Sequence, residues 1–237
     1  MRDLTHEIET GMQTYPGDPA VSVTPAATVE TDGYAVRRVE LGSHAGTHVD
    51  APAHVLADGR TLASFDPETF VFDAVRVDCR DLGAREAVPA DRVPTDTDAD
   101  CVVFDTGWAD HWGAARYRDH PYLAPAAGRA CAEAGLAVAT DTLSPDPTPP
   151  ADHGSGGGSE GGSHHANGDE NRADEPDGVP VHEAVLGAER PIVENLTGLA
   201  GLDRFELRAL PLALDGDGAP VRAVAVESSS PTEASPE

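Results

Sequence analysis

The sequence predicts an α/β or α+β fold with a dominant β-sheet. Short β-branched runs alternate with turn residues along most of the chain, only two segments carry helical signals, and no internal repeat is present. With 237 residues, the chain is long enough to bury a sizeable core and lies near the upper end of the usual single-domain range. A single domain is therefore expected.

The predicted strands are apolar, β-branched runs bounded by turn residues. In chain order they cover residues 21–23, 35–41, 71–77, 101–105, 137–140, 192–196 and 221–226. Two helices are expected, one in the alanine-rich segment 125–135 and a shorter one at 181–189, which Arg190 and Pro191 close.

Residues 148–178 interrupt this pattern with glycine, serine, proline and acidic residues. This composition predicts a solvated low-complexity insertion within one domain, residues 1–226, because periodic sequence resumes on both sides. The insertion contains His153, His164 and His165, which are not expected to form a functional metal site because a solvated loop would have to be ordered at each binding event. Residues 227–237 are expected to form a disordered tail.

The chain is strongly acidic. It has 42 Asp and Glu against 16 basic residues, all of them Arg, which gives a net charge of -26. Such a surface repels nucleic acid and anionic membranes, so neither is expected as a partner. Because the composition is still 39% hydrophobic, the charge favours a folded, halophilic protein, since molar salt screens charges beyond about 3 Å. An ordinary acidic protein is the alternative.

The location of the protein is predicted from what its sequence lacks. The first residues contain no signal-peptide pattern, and no apolar run approaches the roughly 18 residues of a membrane span. A cytoplasmic protein is therefore expected. Cys79, Cys101 and Cys131 are widely spaced and form no CxxC pair, which predicts reduced core residues.

Residues 44–54, HAGTHVDAPAH, combine three of the ten histidines with an aspartate. Imidazole and carboxylate together are ligands of borderline divalent metals. A helix would turn Asp50 away from His48, and Pro52 would block its continuation. A straight strand would leave His44 and Asp50 roughly 20 Å apart, whereas two ligands of one ion lie within about 4.5 Å of each other.

The segment is therefore expected to bend at Gly46, with the Thr47 hydroxyl stabilising the turn, so that two histidines and the aspartate converge. Three protein ligands leave open coordination positions, which is the pattern of catalytic metal sites. His54 follows as a further ligand or as a general base beside the metal. The alternative interpretation is a loop with ordinary surface histidines.

The motif HxGTHxDxPxH resembles the signature of the metal-dependent cyclase hydrolase family, whose best-known members are bacterial kynurenine formamidases, with isatin hydrolases as relatives. Similar segments follow the whole chain: YPGDP at 15–19, TGW at 106–108, DTLSPD at 141–146 and GAPVRA at 218–223. The resemblance implies an α/β fold of three layers, with mixed β-sheets and flanking helices in a swivelling β/β/α-like arrangement. It also implies a homodimer or homotetramer.

The resemblance further implies a second pair of ligands, a histidine followed twelve residues later by a glutamate, which are present as His182 and Glu194. Two ligand sets would then share one carboxylate: His44, His48 and Asp50 for one ion, and Asp50, His182 and Glu194 for the other. Some relatives hold a single ion. Zinc is the expected metal, with manganese as the alternative.

The implied reaction is hydrolysis of a C–N amide bond by a metal-activated water, with N-formylkynurenine giving kynurenine and formate in tryptophan catabolism. His54 would move the proton, because an imidazole pKa near 6.5 suits transfer in both directions. A cyclic amide such as isatin, a lactone, and a non-catalytic metal-binding role stay open. Tyr15, Phe65, Trp108 and Trp112 are candidates for an aromatic slot or, equally, for the core.

Overall fold

The computed structural model describes residues 1–149 and 175–227. Most of the predicted insertion and nearly all of the predicted tail therefore lie outside the described residues, as do His153, His164 and His165. In the described ranges, no helix has the length and apolar character that crossing a bilayer requires.

A mixed sheet of nine strands dominates the described chain, with strand order β1-β13-β11-β5-β7-β9-β10-β4-β12. The strands are β1 (Arg2–Asp3), β2 (Ser22–Ala27), β3 (Val36–Glu40), β4 (His48–Asp50), β5 (Val71–Asp78), β6 (Ala87–Val88), β7 (Cys101–Asp105), β8 (Tyr122–Leu123), β9 (Ala137–Thr140), β10 (Ile192–Glu194), β11 (Arg204–Arg208), β12 (Gly218–Pro220) and β13 (Val224–Val226). Strands β5, β7, β9 and β10 are parallel, and the outer strands pair antiparallel. The predicted α/β fold with a dominant mixed sheet is confirmed.

The remaining elements are short. Strands β2 and β3 form one separate two-stranded sheet, and β6 and β8 form another. The α-helices are α1 (Val29–Asp32), α2 (Pro125–Glu133) and α3 (Pro180–Gly187), and the 3-10 helices are Pro52–His54, Leu62–Ser64, Pro67–Phe70, Ala90–Arg92, Trp108–His111 and Ala115–Asp119.

The central strands separate two apolar cores because their side chains alternate between the faces of the sheet. Val103 and Ala139 belong to the larger core, which also contains residues from β4, β11, β12 and β13. Val102 and Val138 face the second core, where α2 and α3 cover the sheet. Strands β7 and β9 are buried at every residue, so their continuous apolar runs predicted the observed bounds.

Other predicted elements differ at their ends. The predicted strand at 221–226 is shorter, Val224–Val226, and both predicted helices begin or end one or two residues from the observed bounds. Strands β1, β4, β6, β8, β11 and β12 were not predicted. Cys79, Cys101 and Cys131 are free and buried, as expected.

The predicted insertion begins one residue too early. Thr148 is buried rather than solvated, because its hydroxyl bonds the His120 imidazole at 2.6 Å and its carbonyl accepts from Arg85. Arg85 also pairs with Glu175 at the other described end of the insertion. Strands β9 and β10, which precede and follow the insertion, are adjacent in one sheet.

Candidate metal centre

The candidate site lies at the edge of the sheet where β9 and β10 end and β4 begins. Strand β4 is antiparallel to β10, and His48 is directly opposite Glu194. Because side chains two residues apart share a face of a strand, Asp50 points to the same side as His48. Ligand sites of open α/β sheets commonly lie at the carboxyl ends of the parallel strands.

The chain reverses just before β4, as the sequence predicted. Gly46 has φ of 66°, a left-handed conformation that favours glycine. The Thr47 hydroxyl donates to the Asn195 carbonyl at 2.6 Å and accepts from the backbone N–H of His6. The predicted bend at Gly46 is therefore confirmed. Residues 48–50 form a strand after the bend, because β10 and β12 pair with them on both sides.

His182 reaches the same edge from the first turn of α3. Its Nε2 lies 3.2 Å from Glu194 Oε1 and 3.6 Å from Asp50 Oδ2. His48 Nε2 lies 3.2 Å from Asp50 Oδ1 and 3.3 Å from Glu194 Oε2. The connection from α3 to β10 therefore returns His182 and Glu194 to the β4 residues, as the family resemblance implied.

The buried polar atoms at this edge fit a metal ion. Among the described residues, three fully buried side-chain atoms without a hydrogen-bond partner lie here: His48 Nε2, Asp50 Oδ2 and Glu194 Oε1. Burying a polar atom without a partner costs about 1–3 kcal/mol, so such atoms require an explanation. A divalent cation accepts lone pairs from imidazole and carboxylate, the two kinds of donor present. The donor set therefore fits the metal that the sequence predicted.

Two groups of candidate ligands share Asp50. His44, His48 and Asp50 offer one atom each within 4.8 Å of one another, and so do Asp50, His182 and Glu194. His44 Nδ1 lies 2.7 Å from Asp50 Oδ1. The structure thus brings together all five side chains that were expected to hold metal.

His54 lies beside this cluster, at the end of the 3-10 helix that Pro52 begins. Its ring centroid is 4.0 Å from that of His44 and 5.6 Å from that of His182. The side chain is 32% exposed, in contrast to the buried rings of His48 and His182. His54 therefore lies on the solvent-accessible side of the cluster.

Comparison with known proteins places the chain in a family. The profile of the family described as "Putative cyclase" matches residues 2–147, more than half of the chain. The protein belongs to this cyclase family. The matched range includes the whole of the HxGTHxDxPxH motif.

Similar proteins are hydrolases by name. The kynurenine formamidase of Salinibacter ruber is 29% identical over 97% of this chain and 98% of its own length. Isatin hydrolase A from Ralstonia solanacearum superposes with a TM-score of 0.75 at 22% identity, over 94% of this chain and 90% of that chain. A "predicted metal-dependent hydrolase" from Bacillus stearothermophilus has a TM-score of 0.68 at 22% identity, over 94% and 96% of the two chains. The two solved structures share the fold of this chain, and the similarity to the kynurenine formamidase supports a cyclase-family hydrolase.

The candidate ligands of this cyclase-family protein are strongly coupled by charge. For His48, burial alone would lower the imidazole pKa, but the Asp50 and Glu194 carboxylates outweigh it and hold the pKa well above its usual value. His182 behaves alike, since Asp146, Asp50 and Glu194 counteract its burial. For Asp50, the surrounding histidines outweigh burial and keep the carboxyl pKa well below its usual value. Without metal, the buried carboxylates are thus balanced by protons on the histidines.

Each of the two buried histidines, His48 and His182, donates a hydrogen bond from Nδ1 to an acceptor that is not a candidate ligand. His48 Nδ1–H donates to the Gly46 carbonyl at 2.8 Å, and His182 Nδ1–H donates to Asp146 Oδ2 at 2.7 Å. Both acceptors lie outside the cluster, so Nε2 of each ring faces the other candidate ligands. Hydrogen bonds of this kind fix the tautomer and orientation of histidines that bind metal.

Several residues at the site had no predicted role. Asp146 was noted only within the DTLSPD segment. Its carboxylate accepts hydrogen bonds from the backbone N–H of His182 and from the His182 ring. Asp217 lies 2.9 Å from His44 Nε2 and was not predicted, because a single aspartate between two glycines is typical of a turn. Asn195, which accepts from the Tyr117 hydroxyl and donates to the Gly46 carbonyl, carried no signal either.

The four aromatic residues proposed for a substrate slot separate into two places. Tyr15 and Trp112 pack around buried Trp108, and the buried carboxylate Glu194 adds to burial in raising the pKa of Tyr15 to about 12. Phe65 instead packs against Phe70 in the larger core. Tyr15 therefore lies close enough to Glu194 for the two groups to interact electrostatically.

Proposed function

We propose that the protein is a metal-dependent amidohydrolase that cleaves a non-peptide C–N bond, with N-formylkynurenine as substrate and kynurenine and formate as products. The observation that carries this proposal is the convergence at one sheet edge of three buried atoms that make no hydrogen bond among the described residues, His48 Nε2, Asp50 Oδ2 and Glu194 Oε1. Each lies 3.2–3.6 Å from an oppositely charged candidate ligand. The similarity to a kynurenine formamidase over nearly the full length of both chains supports the substrate class.

The five candidate ligands divide the work in the proposed site. One ion would be held by His44, His48 and Asp50 and a second by Asp50, His182 and Glu194, with zinc favoured and manganese the alternative. Bound divalent metal supplies Lewis acidity, which lowers the pKa of water to about 7 and polarises a carbonyl. The buried surroundings of the ligands keep bulk water away from this chemistry and so strengthen it.

His54 is the proposed proton-transfer residue. Its Nδ1 faces the Asp217 carboxylate at 3.6 Å, which leaves Nε2 for exchange with the substrate. Burial outweighs the neighbouring carboxylates and lowers the pKa of His54, so the ring is neutral and able to accept a proton near neutral pH. After accepting it, His54 would deliver the proton to the leaving nitrogen of the aryl amine.

The aromatic part of the substrate is proposed to lie against Tyr15 and Trp112. Trp112 stacks on His6, with ring centroids 4.0 Å apart, and the backbone N–H of His6 donates to Thr47 between the candidate ligands. Through His6 and Thr47, the Trp112 ring is therefore connected to the segment that carries the candidate ligands, and it offers an apolar surface for an aromatic substrate. The substrate proposal therefore predicts that Trp112→Ala raises KM more than it lowers kcat.

The deciding experiment combines metal analysis with an assay against N-formylkynurenine and isatin side by side. We expect wild-type protein to retain divalent metal and hydrolyse N-formylkynurenine, Asp50→Ala to lose both, and His54→Gln to keep metal while kcat falls about 10²–10⁴-fold. Turnover of isatin alone would favour cyclic amides as the substrate class. Metal retention without turnover of either amide would contradict the proposal and favour a metal-binding role.

We also propose a homodimer or homotetramer in the cytoplasm. Leu210, Leu212 and Leu214 are 46%, 61% and 48% exposed, and they line a groove together with Phe65 and Phe70. An exposed apolar stripe on an otherwise acidic protein favours burial against a second copy. Leu212→Asp should therefore reduce the mass measured by light scattering to that of a single chain of 24.6 kDa.

A further inference from the structure

The turn that precedes β12 contacts the cluster from the side of β4 opposite β10. Strand β12 pairs with β4, and Gly218 is directly opposite Asp50. The Asp217 carbonyl accepts from the Ala51 N–H at 2.8 Å, and the Gly216 carbonyl accepts from the Leu62 N–H at 2.9 Å. The backbone of this turn is therefore fixed against the strand that carries His48 and Asp50.

Asp217 places one carboxylate oxygen between two histidines. Its Oδ2 lies 2.9 Å from His44 Nε2 and 3.6 Å from His54 Nδ1. Only the first distance is that of a hydrogen bond, and since a carboxylate can only accept, His44 Nε2 carries the hydrogen. By the same rule Nδ1, which lies 2.7 Å from Asp50 Oδ1, carries a hydrogen in the metal-free protein, and a bound ion would displace that hydrogen while the bond to Asp217 stays in place.

Gly218 makes room for the same ring. A Cβ at this position would lie 2.5 Å from His44 Cε1 and 3.0 Å from His44 Nδ1. These contacts are far inside van der Waals distance, so any side chain larger than hydrogen would displace the imidazole. Asp217 and Gly218 thus define where the ring lies and which nitrogen it turns towards the cluster.

The three histidines of the cluster now follow one pattern. An acceptor outside the cluster holds one ring nitrogen of each: the Gly46 carbonyl for His48, Asp146 for His182 and Asp217 for His44. We propose that Asp217 is a positioning residue, which holds His44 by Nε2 so that Nδ1 binds metal. This inference rests on the proposed function, because it assigns a task within the same site.

The test compares four variants by Zn²⁺ titration of chelator-treated protein, with kcat and KM measured on reloaded samples. Asp217→Ala removes the acceptor, and we expect Zn²⁺ affinity to fall about 10–100-fold with the number of bound ions unchanged. Asp217→Asn keeps an acceptor oxygen and should recover most of the affinity. Gly218→Ala should weaken Zn²⁺ binding while Asp217 is still present.

Asp215→Asn is the matched control, because Asp215 lies in the same turn and is exposed. Among the described residues, its carboxylate accepts a hydrogen bond only from the Thr61 hydroxyl. It should bind Zn²⁺ as the wild type does. The proposal is wrong if Asp217→Ala binds Zn²⁺ within twofold of wild type, if both Asp217 variants are equally impaired, or if they lose one equivalent, which would make Asp217 a ligand. Wild-type protein that binds neither Zn²⁺ nor Mn²⁺ would instead refute the proposed function itself.

Discussion

Replacing Asp146 should weaken both the fold and metal binding, by amounts that the structure allows to be separated. The Asp146 carboxylate is buried and accepts three hydrogen bonds from the first turn of α3. Oδ1 accepts from the Val181 N–H at 3.0 Å, and Oδ2 accepts from the N–H and Nδ1–H of His182 at 3.0 and 2.7 Å. A carboxylate at this position also interacts favourably with the positive end of the helix dipole.

The expected magnitude follows from the number of bonds lost. A hydrogen bond to a charged group contributes about 1.5–3 kcal/mol, so Asp146→Ala, which leaves three donors without a partner, should lower the free energy of unfolding by at least about 4.5 kcal/mol. In Asp146→Asn, an amide oxygen in place of Oδ2 still accepts both His182 donors, and only the Val181 N–H loses its partner. We therefore expect a loss of about 1.5–3 kcal/mol.

The assay is urea unfolding in the presence of a chelator, followed by Zn²⁺ titration of the folded variants. The chelator removes the contribution of metal to stability, so the first measurement reports the hydrogen bonds and the second reports the orientation of His182. Zn²⁺ affinity should fall about 10–100-fold in Asp146→Ala. Asp177→Asn removes an exposed carboxylate near the same helix and should change neither measurement. The reasoning is refuted if Asp146→Ala unfolds within 1 kcal/mol of wild type.

Three further results are expected. Because the pKa values of His48 and His182 are raised in the metal-free protein, Zn²⁺ must displace protons from these rings when it binds. Calorimetry in buffers of different ionisation enthalpy should detect this proton release, and Zn²⁺ affinity should rise with pH. Binding without proton release would contradict this prediction. Burial lowers the pKa of His120 to about 4 from 6.5, so between pH 4 and pH 6.5 the unfolded chain binds more protons than the folded protein. The free energy of unfolding should therefore fall by about 3 kcal/mol as the pH drops through this range. The variant His120→Asn should lose this pH dependence. The net charge of -26 predicts a higher urea midpoint in 2 M than in 0.1 M KCl, and an unchanged midpoint would refute the halophilic interpretation.

The sequence predicted the fold where burial leaves a strong signal. Strands β7 and β9 are buried on both faces, so uninterrupted apolar runs marked their bounds. Strand β11 also carried a signal that was overlooked, since Phe205 and Leu207 alternate with charged residues. Strands β4 and β12 carried none, because one contains a histidine and an aspartate in three residues and the other contains Gly218 and Pro220. Their pairing partners, not their own propensities, make them strands.

The candidate site divides in the same way. His44, His48 and Asp50 could be predicted because their spacing in the chain is short and a single bend at Gly46 brings them together. The prediction of His182 and Glu194 as ligands required the family resemblance. No local sequence pattern relates these residues, on α3 and β10, to the distant residues of β4. Asp146 and Asp217 act on histidines 36 and 173 residues away, and only the tertiary structure relates them.

The chemistry of the cluster is difficult to explain as a device for stability. Asp50, His182 and Glu194 are buried together, and replacing buried ionic groups by apolar residues is often neutral or stabilising. The fold nevertheless fixes each ring from outside by an acceptor and leaves inward-facing atoms without hydrogen-bond partners. Such local violations of good packing are expected where function requires them. A bound cation would coordinate those atoms and offset the free energy that their burial costs. Metal binding should therefore stabilise the folded state of this protein.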